Sequence, residues 1–139
     1  MTIPVEYQRA TDSFHQFLGD ARDSAGLETV NQAYTMAQGV LQTFRRRLKV
    51  DEAIRFSNVL PAALRALFVA DWNVDEPKRT FEDRAVMTKE LQSLRPLHNY
   101  SPDSSILAVA IALRRNVDQT ALDRVLDKLP EDARQFWQT

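Results

Sequence analysis

The chain contains no cysteine, only three glycines and only two histidines. The missing cysteines exclude disulfides, thiolate metal sites and cysteine nucleophiles, and they suit a reducing cytoplasm, where this reading places the protein. His15 and His98 sit in neither His-Glu-x-x-His nor the Glu-x-x-His of di-iron bundles, so no metal or other cofactor is expected. Gly19, Gly26 and Gly39 are scattered and build no phosphate-cradling loop. With so few glycines and only six prolines, the composition argues against a turn-rich β fold and against long disordered linkers. Long apolar runs are also missing. The segment Ile106 to Leu113 falls well short of the ~20 residues needed to span a bilayer, so no membrane partner is expected. The opening "MTIPVEYQRATD" has no basic stretch followed by an apolar one and does not read as a signal peptide. Finally, no sign of charge dominates. The net charge is −1, with 8 basic and 7 acidic groups in residues 1–70 and 10 and 12 in residues 71–139. No global field draws the chain to nucleic acid or to an anionic membrane.

What is present is helical periodicity along 139 residues, 44% of them hydrophobic, enough to bury about two-thirds of the surface the unfolded chain exposes. Tyr7, Ala10, Phe14, Phe17, Leu18 and Ala21 share one face of a first helix, with Pro4 suited to its first turn and Gly26 to its stop. Thr29 and Gln32 have capping-box spacing, and Ala33, Met36, Ala37, Val40, Leu41, Phe44 and Leu48 continue as an unbroken stripe. A short helix from about Val50 to Asn58 turns Ala53, Ile54 and Phe56 inward, and Pro61 starts a fourth. Thr80 and Asp83 read as the capping pair of a helix carrying Phe81, Ala85, Met87 and Leu91, with Pro96 ending it. Ser101 to Ser104 opens a helix with Ile106, Leu107, Val109, Ala110 and Leu113 buried, Asp118 caps the next, and Pro130 opens the last.

The stretch "NVLPAALRALF" at residues 58–68 is echoed by "DKLPEDARQFW" at residues 127–137. Leu60-Pro61 and Leu129-Pro130 lie 69 residues apart, and at that offset Arg45, Arg46, Arg55 and Arg65 also meet Arg114, Arg115, Arg124 and Arg134. Apolar placement is kept at Phe44/Leu113, Leu48/Val117, Phe56/Val125 and Phe68/Trp137. The pattern predicts an all-α fold of about eight helices in a single domain, 1–139. It consists of two pseudo-repeated four-helix halves, 1–72 and 80–139, joined by a linker at 73–79 and packed as one compact helical bundle. The run Val40 to Trp72 resembles a bacterial domain-of-unknown-function family, number twenty-two sixty-seven. The resemblance rests on Leu41, Arg47, Leu48, Glu52, Ala53, Leu60, Pro61, Leu64, Arg65, Leu67 and Trp72. Where members of that family usually have Gln before Leu-Pro and Gly before Trp, this chain has Val59 and Asp71. The resemblance implies a duplicated helical domain and brings no activity with it.

No Gly-x-Ser-x-Gly motif occurs, and the carboxylate pairs Asp51/Glu52 and Glu131/Asp132 fall in first helical turns, where the helix dipole accounts for them. No catalytic residue is therefore assigned, and the chain reads as a non-enzyme. The arginines stand out. Arg45, Arg46 and Arg47 end one helix, where cations are favoured by about 0.3–1 kcal/mol. Arg65 and Arg134 lie in first turns, where the dipole opposes them, so each needs a partner. A carboxylate or helix-end carbonyls of the same half fit Arg65, with Asp51 and Glu52 the candidate acids. Trp72 follows a helix end as a lid or an exposed contact. Two functions fit. One is an interaction module binding a protein partner or itself. The other is binding of an anionic ligand through the Arg45–Arg47 ridge, nucleic acid being the less favoured occupant.

Overall fold

The structure, a computed structural model, describes all 139 residues. It holds nine α-helices, one 3₁₀ turn and no strand. The helices are α1 (Val5–Gln8), α2 (Ala10–Ala25), α3 (Val30–Arg45), α4 (Val50–Ser57), α5 (Ala62–Val69), α6 (Arg84–Gln92), α7 (Ser105–Asn116), α8 (Gln119–Asp127) and α9 (Glu131–Phe136), with the 3₁₀ turn at Pro96–His98. None is long and apolar enough to cross a membrane.

Local chemistry sets most boundaries. Thr29 Oγ1 accepts from the Gln32 N–H at 3.1 Å while Gln32 Oε1 accepts from the Thr29 N–H, the reciprocal cap that starts α3. Gly26 ends α2 at φ 70°, a left-handed position that glycine occupies without a Cβ clash. Asp118 accepts from the Ala121 N–H and starts α8. Pro61 and Pro130 precede α5 and α9 with near-identical backbones, φ −56° and ψ 155° against φ −54° and ψ 150°.

Several expectations are corrected. The first helix is broken at Arg9, so α1 is a separate short turn and Tyr7 is exposed. Ile54, Ala85 and Leu107 face solvent rather than the core. Thr80 does not cap α6, which starts only at Arg84; its backbone carbonyl accepts from Arg47 instead. The segment between α5 and α6 runs from Ala70 to Asp83 and is tied to α3: the Arg79 N–H donates to the Arg46 carbonyl at 3.0 Å. We call this segment the strap.

α3 lies at the centre, packed on α2, α5, α6 and α7, while α2 also packs along α7 and α4 meets α8. Thirty buried apolar residues form one continuous core drawn from both ends of the chain. Its densest part is aromatic. Phe44 of α3 lies 4.8 Å from Phe56, 4.9 Å from Phe136 and 5.2 Å from Trp137, centroid to centroid. Trp137 stacks on Phe56 at 5.5 Å, which in turn lies 5.2 Å from Phe68. These separations fall within the favourable range for aromatic pairs.

Candidate functional site

The arginine triplet is split by the curvature of the helix end. Arg45 and Arg47 are buried, and only Arg46 stays partly open. Arg45 Nη1 donates to the carbonyls of Phe68 at 2.9 Å and Ala70 at 3.0 Å, closing the C-terminal end of α5. Its guanidinium lies over the ring of half-buried Trp72, 5.4 Å from the centroid. Burial, followed by the neighbouring Arg46 charge, lowers the Arg45 pKa, opposed by Glu76 and Asp71. Asp71 takes φ 54°, in the left-handed region that favours glycine.

Arg47 reaches across to the second half of the chain. Nε donates to the Thr80 carbonyl at 2.9 Å, and Nη1 and Nη2 grip Glu90 of α6 as a fork at 3.0 and 3.1 Å. Arg79 adds a contact of 2.7 Å to the same carboxylate, and Arg46 stands 3.6 Å away. Burial alone pushes Glu90 upward, but the hydrogen bonds and charges of Arg47 and Arg79 outweigh it and hold the carboxyl below the usual range.

Arg65 donates to the carbonyls of Ser57 at 3.2 Å and Leu60 at 3.1 Å, with Glu6 at 3.5 Å. Its partners are thus helix-end carbonyls of its own half rather than Asp51, which pairs with Arg55, or Glu52, which accepts from the Lys49 N–H. Arg134 pairs with Asp127 at 3.0 Å and with Glu131, all three exposed. The two first-turn arginines find different partners, carbonyls for one and carboxylates for the other. The Arg45 clamp does recur: Arg114 Nε donates to the Trp137 carbonyl at 3.0 Å, and each donor and acceptor lies 69 residues on.

Two clefts flank these groups. The larger, about 580 Å³, lies between the start of α6 and the C-terminal end of α9. Arg84 borders it, but its Nη2 is spent on the carbonyls of Gln135, Phe136 and Gln138, closing α9 as Arg45 closes α5. Burial lowers the pKa of Arg84. The smaller, about 270 Å³, lies beneath the strap and is lined by Arg45, Arg46, Lys49, Trp72, Glu76 and Lys78. Val50 and Val74 form its apolar rim. Of the residues singled out from sequence, Arg45, Arg46 and Trp72 meet at this smaller cleft, while Arg47, Arg65 and Arg134 are committed elsewhere. Lys49 and Lys78 were missed. The run "RRRLK" at 45–49 carried a signal for the first, and nothing local marked Lys78 or Glu90.

His15 and His98 are exposed and stand on different elements. No curated protein matches the chain. The model of the family described as an uncharacterised conserved protein, DUF2267, matches residues 14–136, from within α2 to the end of α9, and the chain belongs to that family.

Proposed function

We propose that the protein is a cytoplasmic, non-catalytic helical interaction module that binds a protein partner on the face formed by α4 and the strap. The observation that carries this reading is an apolar surface where the fold has no use for one. Val50 and Ile54, one helical turn apart on α4, are 45% and 52% exposed, and Val74 of the strap is 59% exposed. The strap is held by the Arg79–Arg46 backbone bond and by the contacts of Arg79 with Glu90 and Glu76. A partner therefore meets a surface already ordered, and little conformational freedom is lost on docking. Lys49 and Lys78 at the rim favour a partner face carrying acidic groups over nucleic acid, because Arg45 and Arg47 are turned inward. The 69-residue correspondence of the starts of α4 and α8, of α5 and α9, and of the arginine clamps supports an origin by duplication.

Photo-crosslinking in the cells that make the protein tests this reading. A photoreactive residue at position 54 gives one discrete adduct, and the same residue at exposed Arg124 gives none. Adducts at both positions alike, or at neither, overturn it. An adduct of twice the chain mass identifies the partner as a second copy.

A further inference from the structure

We infer that the cleft beneath the strap is a binding site for a small anionic group, a carboxylate or phosphate, with Arg46 as its recognition residue. The inference does not depend on the docking reading, since the cleft is complete within one chain. Its starting point is an unused fork. Arg46 carries five N–H donors, yet its guanidinium makes no hydrogen bond within the protein although its side chain is only 20% exposed. The nearest oxygens are Glu90 at 3.6 Å and Glu76 at 3.8 Å, attraction without hydrogen bonding. The neighbouring arginines each find acceptors through other donors, although Arg45 Nε, like Arg46 Nε, has none. Arg45, Arg47 and Arg79 all donate at 3.0 Å or less. Buried polar groups are ordinarily satisfied, and a guanidinium offers two parallel donors that match the oxygens of a carboxylate or phosphate.

The surroundings fit such a group. Lys49 and Lys78 line the cleft with Arg46, facing the single carboxylate of Glu76. Trp72 forms an apolar wall, with the buried Arg45 guanidinium over its ring. A cleft of about 270 Å³ has room for one small anionic group. On binding, the anion takes the Arg46 fork, and Glu76, already beyond hydrogen-bond distance, turns away.

Trp72 supplies the reporter. The chain has two tryptophans, of which Trp137 is fully buried, so the two indole N–H signals in a proton–nitrogen spectrum report different places. Titration with pyrophosphate and, separately, with citrate shifts the Trp72 indole and the amides of residues 46–50, 72–76 and 78–79 saturably, and leaves Trp137 in place. The salt that saturates at lower concentration identifies phosphate or carboxylate as the preferred source. Arg46→Gln weakens binding about tenfold or more, the effect of losing a charge-assisted fork. Lys49→Gln, at an exposed position that the fold does not need, weakens it several-fold, and Glu76→Gln tightens it. Arg115→Gln, at an exposed arginine away from the cleft, changes nothing. The inference is overturned if neither salt gives a saturable shift, or if the shift survives both Arg46→Gln and Lys49→Gln.

Discussion

Glu90 is a single carboxylate facing three guanidinium groups, and it ties the residues after α3 and the strap to α6. Glu90→Gln leaves Arg47 buried without its counter-charge, which costs about 3 kcal/mol. Because the folded-state pKa lies below the ordinary carboxylate value of about 4.3, the stabilisation is present above that value and is lost as pH falls through the depressed one. Urea midpoints at pH 7 and pH 3 check this: the natural chain loses stability between them, and Glu90→Gln loses distinctly less. The same cluster shows why individual residues were only partly legible in sequence. A helix ending in three arginines reads alike whether its cations face water or carbonyls. The acceptors that settle the matter, Phe68, Ala70 and Thr80, lie 23 to 33 residues away and are backbone groups every residue possesses. Asp71 is the counter-example. Its left-handed backbone is one that glycine adopts without strain, which fits the glycine that the resemblance implies there.

At the scale of elements, helix starts depend on where the donor's partner sits. Thr29→Ala removes one side of a reciprocal cap and costs about 1 kcal/mol. Thr80→Ala stays within about 0.5 kcal/mol, because only its carbonyl is used. Paired thermal melts of the two variants separate a cap that works from a look-alike. The contrast marks the reach of sequence reasoning here. Thr29, Asp118, Gly26, Pro61 and Pro130 act within four residues of themselves, so their spacing was sufficient. Inward faces were legible on α3 and, for Ala53 and Phe56, on α4, but not on α1 or at Ile54. A period of 3.6 identifies the apolar face without stating what covers it, and Tyr7 and Ile54 lack a cover. The cleft beneath the strap was legible only as cations at a helix end. Its other wall comes from a non-helical segment whose course is set by a local turn at Asn73 and by the distant contacts of Arg79 to Arg46 and Glu90.

Across the whole molecule, the aromatic cluster joins what the chain order separates. Phe44 touches rings from residues 56, 81, 136 and 137, so no cut between the halves leaves either with an intact interior. Phe44→Ala opens a cavity at the meeting point and costs about 3–5 kcal/mol. Far-ultraviolet and near-ultraviolet circular dichroism still report one coincident unfolding transition in the variant, as in the natural chain. Two separated transitions would show that the halves are independently stable.

The carbonyl clamps at the ends of α5 and α9 carry an implication for how the molecule assembles. Eight and six residues are too few to hold a helix in water, where about twelve or more are needed. Each is finished by a guanidinium that travels on another element, Arg45 for one, Arg84 and Arg114 for the other. The long rods must therefore find one another before the terminal pieces can seat. The expected chronology of folding is scaffold first and short ends last, and pulse-labelled amide exchange that protects α9 before α3 would refute it.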